Sequence, residues 1–313
     1  MNPNFSHPRP RSSHQVTSRR RAAIRVGAMP LPPAEPHHLA PHPPAAQRRL
    51  PAAAAAPATA LARTRRARAI NRELEKIYPD ARCELNWNTP LDLLVATVLS
   101  AQCTDERVNA VTPALFQRYA TAQDYATATE EEIAEIIRPT GFHRSKSQHL
   151  VAIGQQLLAE HGGEVPQDME ALVALPGVGR KTAHVVRGNA FGLPGLSVDT
   201  HFGRLMRRFG LTEHTDPVKV EKDIAAMVER SQWTIFSHRV IFHGRQVCHS
   251  RTPACGACAL ATARLCPSFG EQGPTDPVAA ARLVRGESAP RLIALAGIEE
   301  PAAPAPATRK DRA

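Results

Sequence analysis

Three groups of residues in this sequence have the types and spacing to do chemistry. The first is Leu175-Pro176-Gly177-Val178-Gly179-Arg180-Lys181-Thr182, where a tight glycine turn runs straight into a helix start that carries one lysine. Gly177 and Gly179 can take positive φ and let the main chain approach a ligand closely. The helix that follows points unpaired N–H groups outward, which suits a phosphate. A common Pro-Gly helix corner shares these features. Two glycines around one apolar residue, followed at once by Arg180 and Lys181, shift the balance toward a clamp on nucleic-acid backbone. The second is Asp199, in Val198-Asp199-Thr200-His201, which stands where a helix N-cap would stand. The third is the set Cys248, Cys255, Cys258 and Cys266, spaced C-x6-C-x2-C-x7-C. Four thiolates in one loop can enclose a tetrahedral zinc ion or a [4Fe–4S] cluster. Only the middle pair has knuckle spacing, which favours the iron–sulfur cluster and leaves zinc open. Cys83 and Cys103 are expected to pack in the core.

The elements that must position these groups are helices. Apolar residues recur at helical spacing from about Arg63, with Ile70, Leu74 and Ile77 on one face. Residues 91–101 are apolar on nearly all sides, as in a helix at the centre of an all-α domain. Further helices are predicted over 105–119, 129–137, 145–161, 168–174, 182–191, 199–208, 217–230 and 233–247, with turns at Pro139-Thr140-Gly141 and Gly162-Gly163. The helices either side of Pro176 to Gly179 make that stretch a helix-hairpin-helix. No alternating run long enough for a useful strand is present, so the fold is expected to be all-helical with short connections.

The net charge of +10 is unevenly placed. Up to Arg68 there are twelve arginines, no lysine and one acid, Glu35, so this stretch alone carries +11 and the remainder is near −1. Residues 1–62, rich in Pro, Ala, Arg and His, are expected to be a disordered basic arm, and 269–313 a disordered Pro/Ala-rich tail. The folded part, 63–268, must bind nucleic acid through local polarity if it does so at all. No run is long enough for a signal or membrane-spanning helix, so a cytoplasmic location follows.

Taken together, the hairpin, Asp199 and the cysteine loop resemble the endonuclease III family of DNA glycosylase/AP lyases, over about residues 65 to 268. The matching pieces are Leu99-Ser100-Ala101-Gln102 with Thr104-Asp105, Leu175 to Ala183, Val198 to His201, and His243-Gly244-Arg245 ahead of Cys248. The wider superfamily's Gly/Pro loop and aspartate correspond to Gly192–Gly195 and Asp199. Two departures are visible. The last cysteine gap, Ala259 to Leu265, has seven residues where the family usually has five, and Phe142-His143 stands where relatives often have leucine and tyrosine. A longer surface loop costs little entropy.

The resemblance implies a two-lobed helix-hairpin-helix DNA glycosylase fold with a C-terminal [4Fe–4S] cluster loop. Residues 91–192 would form a helical barrel lobe with the hairpin, and 63–90 plus 193–268 a terminal-helix and iron–sulfur lobe, with DNA across the cleft between them. The implied activity is bifunctional base excision repair: removal of oxidised pyrimidines, then cleavage 3′ to the abasic site through a Schiff base on Lys181. Beside Arg180 and near a helix N-terminus, Lys181 sits where a neutral, nucleophilic amine is favoured. Asp199 would be its partner carboxylate, and Gln102 would fill the gap left by the extruded base. Gly177, Gly179, Arg180, Thr182 and Arg251 would contact DNA, with Arg245 and Lys146 as further phosphate candidates. Cys248, Cys255, Cys258 and Cys266 would hold a cluster with no part in base excision. The expected partner is double-stranded DNA with damaged bases or abasic sites, met by a monomer in a bacterial, nucleoid-associated setting.

Two other readings compete. A monofunctional adenine-type glycosylase shares hairpin, aspartate and cluster, but lacks the lysine and carries a further C-terminal domain of a hundred or more residues, where this chain has forty-five residues after Ser268. A non-catalytic helix-hairpin-helix DNA-binding or redox module is the third, and both catalytic residue types being present argues against it.

Overall fold

The structure is a computed structural model that describes residues 54–56 and 59–298. Fourteen α-helices are present among these residues, and no strand. In chain order they are α1 (Ala60–Ile77), α2 (Pro90–Leu99), α3 (Asp105–Arg118), α4 (Ala122–Thr127), α5 (Glu130–Ile137), α6 (His143–His161), α7 (Met169–Ala174), α8 (Arg180–Ala190), α9 (Thr200–Arg208), α10 (Pro217–Ala225), α11 (Trp233–Gln246), α12 (Ala259–Thr262), α13 (Pro277–Ala281) and α14 (Ala289–Leu295).

Helix starts are written in the sequence. Thr89, Thr121 and Thr129 each accept a hydrogen bond from the N–H three residues on, and Asp92, Asp124 and Glu132 each accept one from the cap N–H. These reciprocal caps satisfy two otherwise orphaned donors per helix. In α2, Pro90 takes the first position, where its missing N–H removes nothing. Every residue from Leu91 to Leu99 is buried, as expected for a central helix.

Two apolar cores result. One gathers α2 to α8, with Leu93, Leu94, Leu115, Tyr125, Ile133, Ile153 and Val186. The other gathers α1 and α9 to α14, with Ile70, Leu74, Phe202, Phe209, Phe236 and Leu260. The two-lobed, all-helical architecture is therefore present, and the hairpin between α7 and α8 belongs to the first lobe. Within that lobe α6 lies directly on α4. A Cβ on Gly154 would stand 2.6 Å from the Ala126 nitrogen and 2.7 Å from the Ala122 carbonyl oxygen. Because those are main-chain atoms that cannot swing aside, Gly154→Ala is expected to destabilise the protein by about 1–3 kcal/mol. A lowered denaturant midpoint with unchanged slope would report it.

Two boundaries differ from expectation. Helix α1 begins at Ala60, capped by Thr59, so 60–62 belong to the fold; the rest of the basic arm lies largely outside the described residues. More substantially, 269–298 is not a disordered tail. Asp276 caps α13 by accepting from the Ala279 N–H at 2.7 Å, and Ala280, Val284 and Leu292 are buried in the second core. Helices of five and seven residues have little stability of their own. Docking stabilises them, so composition alone did not show them. Residues 299–313 lie outside the described residues.

Candidate active site and nucleic-acid interface

The hairpin has the geometry that its glycines foreshadow, with one change. Gly177 sits at φ +71, and a Cβ there would lie 2.4 Å from the His149 ring, so no other residue fits without displacing α6's side chain. Gly179 is at φ −89 as the N-cap of α8, with open space where a Cβ would be. It is therefore not a positive-φ glycine; what it provides is an unobstructed approach. The first intrahelical bond of α8 runs from the Ala183 N–H to the Gly179 carbonyl. The N–H groups of Gly179, Arg180, Lys181 and Thr182 donate to no acceptor among the described residues. Four outward donors at a helix N-terminus form an anion-binding surface.

Arg180 does not stand free beside Lys181. Its Nε and an Nη donate to the two Glu221 oxygens at 2.7 and 2.6 Å, which ties α8 to α10 and pairs its charge. His184 lies 3.1 Å from the same carboxylate. Burial alone would raise the Glu221 pKa, but bonds and charges from Arg180 and His184 outweigh it and hold the pKa near about 2.

Lys181 is exposed and donates no side-chain hydrogen bond among the described residues. Asp199 caps α9 as the sequence suggests, accepting from the Phe202 N–H at 2.8 Å. The two line one narrow cleft of about 70 Å³, together with Glu84, Asp105, His238 and Arg245. Arg245, from α11, donates to Asp105 at 2.9 Å and also to Glu84, so two of the three acids lining the cleft are held by one guanidinium. This pairing makes Arg245 a tie across the cleft instead of the open phosphate contact expected. His238 donates its Nε2–H to the Asn189 amide oxygen at 2.9 Å, and burial pushes its pKa down to about 4, so it is a neutral imidazole. Arg245 and Asp105 lie in motifs visible in the sequence, whereas Glu84 and His238 carry no signal there.

Lys146 departs furthest from expectation. It is buried, and its ammonium donates to the Leu99 carbonyl at 2.8 Å and to the Thr140 carbonyl at 2.9 Å. No phosphate reaches it. It braces the end of α2, which leads to Gln102, against the turn that leads to Phe142. Both of those residues are exposed and held in left-handed backbone, at φ 54 and φ 48. Lys146→Met would leave two buried carbonyls without this donor, an expected loss of about 1–3 kcal/mol in chemical denaturation.

Of the four clustered cysteines, Cys248, Cys255 and Cys258 are buried and Cys266 is partly so. Burial pushes the thiols of Cys248, Cys258 and Cys266 up, Cys266 to about 12, each raised further by the charge of other cysteines in the set. Arg208 donates to the Cys248 sulfur at 3.2 Å. His243, fully buried with its pKa lowered to about 3 by desolvation, lies 3.4 Å from the Cys258 sulfur and 3.2 Å from the Tyr78 hydroxyl. With a thiolate at Cys258, a neutral imidazole satisfies both contacts when Tyr78 donates to Nδ1 and Nε2–H donates to sulfur. Hydrogen bonds to sulfur are what a thiolate-bound centre needs from its surroundings.

Residues 95–230 match the HhH-GPD superfamily of base excision DNA repair proteins. Endonuclease III of Synechocystis sp. is 53% identical over 196 residues, 62% of this chain and 89% of that protein. The chain belongs to the endonuclease III family. Endonuclease III of Bacillus subtilis is 44% identical over 191 residues, 60% of this chain and 87% of that protein. A solved structure described as a non-covalent endonuclease III–DNA complex superposes with a TM-score of 0.63 at 41% identity, covering 66% of this chain and 97% of that one. The chain is accordingly a DNA-binding base excision repair enzyme of the DNA glycosylase/AP lyase class. No helix among the described residues is long and apolar enough to cross a membrane.

Proposed function

We propose that this endonuclease III family member removes oxidised pyrimidines from duplex DNA and cuts the strand through Lys181, within a bacterial cytoplasm. The observation that carries this is the shared cleft of Lys181 and Asp199 at the open end of the hairpin helix. The N–H groups of Gly179 to Thr182 hold a phosphate beside the damaged nucleotide, with the Gly177 turn letting main chain come close and Arg251 adding charge from the cysteine loop. Arg180 contributes its main-chain N–H, since its side chain is paired. Gln102, exposed in a left-handed turn, enters the stack where the extruded base was.

The Lys181 amine attacks C1′ as a neutral nucleophile, the bond from C1′ to the base breaks, and the departing base takes a proton from water. Asp199 takes the proton that Nζ sheds and stabilises the positive charge on the sugar. Asp199 returns its proton to O4′ as the ring opens, which gives the C1′ iminium with Lys181. Loss of a 2′ proton then expels the 3′ phosphate by β-elimination, and water releases the unsaturated sugar and regenerates the amine.

The four thiols fit a [4Fe–4S] cluster. They are held on one loop, three of them buried, with Arg208 donating to the Cys248 sulfur and the His243 ring 3.4 Å from the Cys258 sulfur. When bound, the cluster supplies a structural centre. Cys258→Ser is expected to lower the iron content of the purified protein to background and to lower its melting temperature, with iron and acid-labile sulfide assays as the readout.

Borohydride trapping of the wild-type protein tests the activity directly. A covalent band on both a thymine glycol duplex and an abasic duplex is expected. A band on the abasic duplex alone would retain the lyase and remove the assigned base specificity, and no band on either would overturn the proposal.

A further inference from the structure

A second cavity, about 470 Å³, lies beside the catalytic cleft between the cysteine loop and the chain's C-terminal strap. Its walls include His201 from the start of α9, Arg245 from α11, His249 and Arg251 from the cysteine loop, and Leu283 and Arg285 from the strap between α13 and α14. No Asp or Glu lines it. Arg245 lines both cavities, so the two adjoin at that residue.

The charge in this groove is not compensated locally. Arg245 is paired with Glu84 and Asp105, but Arg251 and Arg285 are exposed and make no side-chain hydrogen bond or ion pair among the described residues. Arg204, just beneath, bonds only His201 and the carbonyls of Gly244 and Cys248. Two free guanidiniums facing one acid-free groove are suited to a phosphodiester.

The strap that carries Arg285 is fixed in place. The Arg285 N–H donates to the Gln246 carbonyl at 2.9 Å, and the His249 ring lies 2.8 Å from the Leu283 carbonyl. Lower down, the Gly256 N–H donates to the Pro274 carbonyl at 2.9 Å, and a Cβ on Gly273 would fall 1.9 Å from the Pro253 carbonyl oxygen. That approach needs glycine. The strap therefore seats closely on the loop between the first two cysteines, and it presents Arg285 on the same groove as Arg251. Buried Val284, next to Arg285, anchors it in the second core.

We propose that this groove binds a backbone phosphodiester of duplex DNA flanking the damaged nucleotide, with Arg285 of the C-terminal strap as a contact shared with Arg251. This rests on the reading of Lys181 and Asp199 as the reacting pair, because the groove adjoins their cleft. The strap thus serves recognition as well as cover for the cysteine loop.

The test is equilibrium binding of the full chain to a duplex containing a tetrahydrofuran abasic analogue, titrated across salt concentration by fluorescence anisotropy. Each phosphate contact adds about 0.9 to the slope of log affinity against log salt. Arg285→Ala is expected to reduce that slope by about 0.9 and so to remove about a threefold share of the affinity change between 50 and 200 mM salt. Arg285→Glu should weaken binding further, and Arg285→Lys, which keeps the charge, should restore the wild-type slope. An unchanged slope in both Arg285→Ala and Arg285→Glu would overturn the proposal. So would a slope that Arg285→Lys fails to restore, since that would mean a disturbed strap instead of a lost phosphate contact. Failure of the Lys181 chemistry is seen separately, as absence of wild-type borohydride trapping.

Discussion

Lys181→Ala is expected to abolish the borohydride-trapped complex and to lower strand cutting at an abasic site by on the order of 10⁴-fold or more, the scale associated with deleting a catalytic nucleophile. No other lysine lines the cleft that Lys181 shares with Asp199, so no second amine stands ready to replace it. Lys146 is enclosed by the carbonyls of Leu99 and Thr140. The substitution should leave the fold intact, because the Lys181 side chain is exposed and holds nothing in place among the described residues; an effect within about 0.5 kcal/mol is expected. Affinity for uncleavable abasic duplex should persist, since the main-chain N–H groups of Gly179 to Thr182 remain. Single-turnover cutting, trapping and a melting curve on one preparation measure all three. Residual trapping in this variant would mean that a different amine is the nucleophile.

Asp199→Asn is the second large effect, and it separates two roles that one side chain holds. Asp199 caps α9 through the Phe202 N–H, and asparagine caps a helix about as well. Stability should therefore barely change. The negative charge that stabilises the developing cation on the sugar is lost, as is the acceptor for the Lys181 proton, and the rate of base removal is expected to fall by about 10²–10⁴-fold. Asp199→Ala should add a loss of about 0.5–2 kcal/mol from the missing cap. If Asp199→Asn cut at the wild-type rate, the residue would be a helix cap and nothing more. Measuring the glycosylase step with single-turnover kinetics, beside thermal unfolding, distinguishes these outcomes.

The groove that Arg285 shares with Arg251 adds a different kind of dependence, on salt and not on chemistry. It also gives 269–298 a position in the enzyme, packed on the loop that holds the cysteines. Pro and Ala content had pointed to a disordered tail there. What identifies the segment as folded is the burial of Ala280, Val284 and Leu292 against a core built from residues far earlier in the chain.

The sequence by itself determined the local features. The threonine caps three residues ahead of Asp or Glu, Pro90 at a helix start, the positive-φ turn at Gly177 and the cysteine spacing are all set by neighbours within a few positions. The family likeness rests on those same short motifs. Tertiary structure decided what the charged side chains do. Arg180, Arg245 and Lys146 all read as free cations along the chain, yet Glu221 lies forty-one residues from Arg180, Glu84 lies 161 from Arg245, and the Leu99 carbonyl lies forty-seven from Lys146. Long flexible side chains take partners from whichever helices pack beside them, and their free energies depend on burial and on paired charge, neither of which a local pattern encodes. Arg251 and Arg285 are the reverse case: the fold brings together two cations from separate segments and leaves their charge to a partner from outside.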